Sequence, residues 1–412
     1  MNTHQRSSDG MSRRDFLRGS AVAGAAALAA SSVAAAAASK QKQAIQGFEP
    51  AATGADASKG WVPVSDRKIR VGIVGYGVCK FGAMFGFQDH PNVEVVAVSD
   101  LFPDRCAGLA KATRCAKTYP SLEELVKDDR IEAVFLATDA ASHARHALEV
   151  LQHGKHVATA VPAVWGSLED AEKLYQTVKS TGLKYMMFET SCFHEDLYAM
   201  HRIYQAGGFG EIVYTEGEYF HYAPTPMEAY KEWRTGSPPQ WYVTHASAYH
   251  IGVTGRPFTE VSCLGMLSNV PHLQAKNNRY KNPFGTEVAL YRTSEGGMAR
   301  IMVSKDTQGP GAEKGRLRGQ KGSFNEKYEG EMKRLPPTQR PPLPPTMARG
   351  GHGGSHGYLT NEFVTALLQN RDPWVNIAMA LNLSVCGVVA HQSALKGGEL
   401  LKIPQYKMWG AA

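Results

Sequence analysis

The chain has 412 residues, of which 43% are hydrophobic and 20% charged, and a formal net charge of +7. This is ordinary for a soluble globular protein, and the length beyond an export signal suits about two domains. Part of the charge sits in the first residues and part in a basic stretch from Lys314 to Lys333. No run of like charge is interleaved with aromatics, so a nucleic-acid partner is not expected.

The six cysteines, Cys79, Cys106, Cys115, Cys192, Cys263 and Cys386, include no Cys-x-x-Cys pair. They are too scattered for a disulfide framework or a zinc site, and free, mostly buried thiols are expected. Near the start, Arg13-Arg14-Asp15-Phe16-Leu17 precedes an Ala/Gly/Val run from Gly19 to Ala38. That pattern is a twin-arginine export signal, with a cleavage site expected among Ala34 to Ser39. The run is alanine and serine with few large apolar residues, so stable membrane insertion is not expected. Nothing later in the chain reads as a span. The expected destination is the periplasm, reached already folded. Residues 1–38 are therefore set aside as signal and 39–66 as a polar arm. Residues 67–189 form a first domain and 190–412 a second.

Lys68 to Val74 is a β-branched run entering Gly75-Tyr76-Gly77, a buried strand leading into a glycine turn. Val93 to Val98 is a second strand ending at Asp100, followed by a helix from Asp104 to about Ala112. A helical piece at Leu122 to Lys127 precedes a buried strand at Ala133 to Ala137. A helix at His143 to His153, a strand at His156 to Ala158 and a helix at Leu168 to Ser180 follow. This alternation predicts a doubly wound parallel sheet, the Rossmann form of α/β domain.

The turn reads Gly75-x-Gly77-x-x-Lys80, so the third glycine of the dinucleotide fingerprint is missing. Gly75 permits the tight turn, and Gly77 lets the backbone approach a pyrophosphate, with Tyr76 and Val78 completing the loop. Gly82 or an outward-pointing Lys80 is expected to answer for the missing glycine. Asp100 suits the ribose hydroxyls and repels a 2′-phosphate, which favours NAD, while Arg105 leaves NADP open.

In the second domain, strands are expected at Ile212 to His221, Glu260 to Ser268, Val288 to Thr293 and Met298 to Ser304, forming an open antiparallel sheet in an α+β unit. An exposed sheet face suggests a homo-oligomer. The segment Glu313 to Arg349 starts strand-like and continues through three proline pairs, read as a stiff arm over a neighbouring subunit. Helices at Leu359 to Asn370 and Ile377 to Leu395 close the sequence. The loop from Trp233 to His250 gathers two tryptophans, Arg234, Tyr242, His245, Tyr249 and His250. Aromatics offer platforms for sugar faces, and Arg, His and Tyr offer donors to hydroxyls. His352 and His356 stand four apart, but Gly353-Gly354 between them argues against a metal-binding helix face, so no metal is expected and substrate contact is assigned to His356.

From Ile69 to about Ile212 the chain resembles the glucose–fructose oxidoreductase, inositol 2-dehydrogenase and MocA superfamily. The carrying segments are Val71-Gly-Ile-Val-Gly-Tyr-Gly77, Val95-Val-Ala-Val-Ser-Asp100, Ala137-Thr138 with His143, Gly154-Lys-His-Val157, Pro162 and Gly207-Gly-Phe-Gly-Glu-Ile212. The resemblance implies a nicotinamide dinucleotide in the first domain, with Thr138 and His143 on its side, and a polyol or sugar against the second. Where that superfamily carries Glu-Lys-Pro, this chain has Ala160-Val161-Pro162, and its usual catalytic lysine is gone.

The NAD-dependent glycoside hydrolases that include α-N-acetylgalactosaminidases are a closer likeness. They share Val-Pro here, a Tyr-x-Thr-His matched by Tyr242-Val-Thr-His245, and a Gly-His-Gly-Gly matched by Gly351-His352-Gly-Gly354. Tyr242 and His245 are the expected catalytic residues: a histidine titrating near neutrality, about 6.5, suits proton shuttling, and the phenol, at about 10, needs a nearby cation to act as a base, which Arg234 is expected to supply. Arg234, His250 and His356 are expected to touch substrate. The expected function is a carbohydrate oxidoreductase with retained NAD, recycled through a keto-sugar. A redox-neutral glycoside hydrolase and an inactive sugar-binding protein are the alternatives.

Overall fold

The computed structural model describes residues 55–409; the export signal, its cleavage site and the first part of the arm lie outside them. The first sheet contains β1 (Ile69–Val74), β2 (Val93–Ser99), β3 (Thr118–Tyr119), β4 (Ala133–Leu136), β5 (His156–Thr159) and β6 (Tyr185–Met187). All are parallel, in the order β3-β2-β1-β4-β5-β6. Central strands such as β4 are buried on both faces, as a parallel sheet between helices requires. The helices Pro103–Thr113, His143–Gln152 and Leu168–Thr181 fall where the alternation predicts. The last is bounded by local chemistry: the Ser167 side chain accepts from the Asp170 amide, and Gly182 ends it at φ 67°. The strand order reverses between β1 and β4, which opens a crevice at their carboxyl ends.

The second sheet contains β7 (Ile212–Phe220), β8 (Phe258–Leu267), β9 (Phe284–Thr293), β10 (Met298–Ser304), β11 (Ala312–Gly319), β12 (Gly322–Phe324), β13 (Tyr328–Gly330) and β14 (Leu401–Lys402). Their order is β13-β12-β11-β7-β10-β9-β8-β14. Pairing is antiparallel except between β7 and β10, which run parallel. One face buries Val261, Cys263, Ala289, Tyr291, Ala299, Ile301 and Val303. The opposite face exposes Leu264, Met266, Leu290 and Met298 and carries the Arg300–Glu218 ion pair.

Two features depart from expectation. The proline-rich segment lies on its own fold: Leu343 is buried, its amide donates to the Ala57 carbonyl, and Arg340 donates to the Phe193 carbonyl. Ile377–Leu395 is, among the described residues, a helix long and apolar enough to cross a bilayer, contrary to the reading that nothing after the signal has that character. It packs inside the protein, where 89% of its most apolar 18-residue window is buried. Together with His356–Leu368 it returns to the first sheet. Thr360 Oγ1 donates to the Phe85 carbonyl, the Met187 amide to Val375, and the Ala163 amide to Ser384 Oγ. The end of the chain thus completes the packing of the N-terminal unit.

Candidate active site

The crevice at the carboxyl ends of β1, β2 and β4 is lined by Gly75, Gly77, Val78, Asp100 and Thr138, and by Arg234 from the second domain. A Cβ on Gly75 would stand 2.4 Å from the Ala137 carbonyl oxygen, so the turn admits only glycine. A Cβ on Gly77 would meet nothing within 4 Å, leaving open space for a group to approach the backbone. The missing third glycine is answered by Gly82, whose Cβ would lie 2.4 Å from the Gly75 carbonyl oxygen and 3.0 Å from Leu109. Lys80 stays at the rim in a left-handed conformation, φ 48°. The Tyr76 amide donates to Asp100 Oδ2 at 2.7 Å and the Phe102 amide to Oδ1 at 2.9 Å. Each carboxylate oxygen retains a lone pair for a ribose hydroxyl. These residues fit a dinucleotide without a 2′-phosphate. His143 does not line the crevice. It is buried behind it, with ring nitrogens 2.8 Å from the Pro162 carbonyl and 3.2 Å from the Thr138 carbonyl, and so supports the crevice wall.

Arg234 also lines a second, aromatic pocket with Trp165, Tyr219, Trp233, Tyr242 and Lys305. Its guanidinium lies 4.2 Å from the Trp233 ring centre and 5.7 Å from that of Tyr242, and Nη2 is 3.7 Å from Cys79 Sγ in the glycine loop. The Trp233–His250 segment, read as a loop, is partly helical: Pro239–Tyr242 is a 3-10 turn and Thr244–Thr254 an α-helix buried on all sides. This helix lies directly on β7 because Gly217 has no side chain; a Cβ there would be 2.0 Å from the Ala246 carbonyl oxygen. Tyr242 and His245 therefore sit at the start of a rigid element, their ring centres 5.5 Å apart, with Tyr219 at 5.7 and 5.0 Å from them.

His245 Nδ1 lies 2.7 Å from Glu189 Oε1, and both side chains are buried. Burial opposes charge on the imidazole, but Glu189 and Glu313 outweigh it and raise its pKa to about 9. Burial likewise works against the Glu189 charge, yet His245 holds the carboxyl below its usual range. The two groups are an ion pair at neutral pH. The expected near-neutral histidine is corrected accordingly. Burial pushes the Tyr242 phenol up to about 12, and the neighbouring Arg234 offsets only part of this. Tyr242 is thus a proton-bearing hydrogen-bond donor and not the base that Arg234 was expected to make of it.

Two substrate assignments are also corrected. His250 is fully buried, bonded through Nδ1 to Thr215 Oγ1 at 3.1 Å and stacked on Phe258; burial holds it at about 3. His356 starts the helix His356–Leu368, is fully buried, and meets His352 ring to ring, its Nε2 2.9 Å from His352 Nδ1. Neither lines the aromatic pocket; His245 stands behind its wall too, but against the rings of Tyr219 and Tyr242, which do line it. Sequence reasoning gave no role to Glu189 or Lys305. A carboxylate directly after the apolar run Tyr185–Phe188 was the available signal for the first.

The fold and crevice define an NAD-binding Rossmann unit followed by a second domain built on a mostly antiparallel sheet. Residues 69–189 match the oxidoreductase family with an NAD-binding Rossmann fold, and residues 10–30 match the signal sequence of the twin-arginine translocation pathway, so the chain is exported by that route. Among curated relatives, glycosyl hydrolase family 109 protein 1 of Bacteroides thetaiotaomicron is 33% identical over 162 residues, 37% of this chain and 34% of that one. Glycosyl hydrolase family 109 protein 2 of Shewanella sp. strain ANA-3 is 28% identical over 60% of this chain and 52% of its own. The chain thus spans about a third of the length of the first of these relatives and half of the second. Among solved structures, a levoglucosan dehydrogenase in complex with NADH and levoglucosan superposes with a TM-score of 0.67 at 16% identity, over 82% of this chain and 100% of that one. Myo-inositol 2-dehydrogenase from Lactobacillus plantarum gives 0.66 at 18%, with the same coverage. At such identities the likeness is one of fold.

Proposed function

We propose that this protein is an NAD-dependent carbohydrate enzyme that keeps its dinucleotide bound after export and works through a keto-sugar. The observation that carries the reading is the position of Arg234, which lines both the cofactor crevice and the aromatic pocket beside Tyr242. Gly75, Gly77, Asp100 and Thr138 would hold the dinucleotide, which supplies a hydride acceptor and donor when bound. The remaining work falls to side chains. Trp165 and Trp233 give apolar faces on which a sugar ring can lie. Tyr242 keeps its proton and orients a sugar oxygen by donating to it. The His245–Glu189 pair moves the proton: neutral imidazole takes it from a hydroxyl when the sugar is oxidised, and imidazolium returns it when the carbonyl is reduced.

A second reading, redox-neutral glycoside hydrolysis, is favoured by the charge on His245. An imidazolium at neutral pH can protonate a departing glycosidic oxygen, and the family 109 hydrolase names of the relatives agree with this. Aryl glycosides separate the two: aglycone release without accumulating NADH supports hydrolysis, and NADH accumulation supports oxidoreduction. In either case His245→Ala and Tyr242→Phe are each expected to lower turnover by about 10²-fold or more while NAD stays bound. Full activity in either variant removes that residue from the mechanism, and sugar binding with no turnover of any substrate would leave a binding protein.

A further inference from the structure

The aromatic pocket has an unusual charge balance. Its wall contains Arg234, Lys305, His221 and His272, and no aspartate or glutamate. Among the described residues no carboxylate lies within ion-pair distance of Arg234 or Lys305, although arginines on the outer sheet face, such as Arg300 and Arg316, are paired with glutamates. Lys305 Nζ donates to the Ser237 carbonyl at 2.8 Å and to the Ser237 hydroxyl, which uses two of its three protons. Arg234 lies over Trp233 and Tyr242, which supply ring faces and no counter-charge.

Two half-buried cations lining one pocket without a carboxylate partner leave a positive excess, and a ligand that covers them shuts out water and is favoured if it supplies the opposite charge. We propose that the sugar taken by this pocket carries an anionic substituent, a carboxylate, sulfate or phosphate, held between Arg234 and Lys305. This rests on the reading of the aromatic pocket as the sugar site. The ammonium itself registers the imbalance: burial, with Arg234 next, brings Lys305 down to about 7, and the more distant Glu287 carboxylate, outside the pocket wall, offsets only part of this. An anion between the two cations would restore its charge. His221, held at about 4 by burial and then by Arg234, is neutral at the same pH and adds no competing charge.

The test is calorimetric titration of the NAD-loaded full chain with matched sugars: glucose against glucuronate, galactose against galacturonate, and glucose against its 6-sulfate and 6-phosphate. At least one anionic member should bind about tenfold or more tightly than its neutral partner, as a charge-assisted hydrogen bond allows. The pair that shows the preference identifies the anion. Lys305→Met should abolish most of that preference, and Lys305→Arg should retain part of it. Should Lys305→Met fail to fold, the wild-type preference must still shrink as salt is raised. Neutral sugars binding as well as every anionic partner would overturn the proposal, as would a preference unchanged in Lys305→Met or by salt. Neutral sugars that bind and reduce the cofactor while acids do not would overturn the anion proposal and leave the proposed function standing. No binding of any sugar would overturn both.

Discussion

In the proposed mechanism His245 moves the proton because of what surrounds it. An isolated imidazole titrates near neutrality, but two buried carboxylates bring this one to about 9. The direction of the pH dependence follows. Oxidation uses neutral imidazole, so its rate should climb with pH and level off above about 9; reduction uses imidazolium and should fall across the same range. Glu189→Gln removes the principal source of the shift and should move both inflections to lower pH, which rate profiles in each direction would reveal. Inflections that stay in place would detach Glu189 from His245. The pair Tyr242 and His245 was legible from the Tyr-x-Thr-His spacing. Glu189 was not given a role, because a carboxylate 56 residues away in sequence becomes a partner only once β6 and the buried helix are folded together.

At the level of elements, sequence periodicity identified what has period. Four strands of the first sheet, β1, β2, β4 and β5, and the amphipathic helix His143–Gln152 fall close to their expected bounds, whereas the two edge strands β3 and β6, only two and three residues long, were not expected. The helix Thr244–Thr254 escaped because it is buried all round and has no polar face to set a period. The same burial makes its seat on β7 sensitive. Gly217→Ala would drive a Cβ to 2.0 Å from the Ala246 carbonyl, at a cost of about 1–3 kcal/mol. Because Tyr242 and His245 ride on this element, the variant should lose turnover more than NAD affinity. Gly82→Ala should do the reverse, since it strains the glycine loop and leaves the aromatic pocket intact. Calorimetric NAD binding beside steady-state rates would distinguish the two, and equal losses in both variants would contradict the separation.

For the whole molecule, export and redox chemistry meet. The protein leaves the cytoplasm by a route that carries folded cargo, with six cysteines free in the described structure and five of them buried. Its thermal midpoint should therefore be unchanged by reductant; a large drop would mean that a disulfide forms after export. The apolar outer sheet face, with Leu264 at 64% exposure, was anticipated from the open sheet, and we propose that a second copy covers it. Light scattering should give an oligomer that Leu264→Glu weakens, and a monomer in the wild type would rule this out. The most direct test of the central claim is the absorbance of gently purified, exported protein as sugars are added. The account predicts a resident dinucleotide whose reduced-nicotinamide band rises or cycles with the right sugar, and a silent His245→Ala variant that still holds the dinucleotide. Protein that is empty and does not bind NAD, or a His245→Ala variant that responds like the wild type, would contradict it.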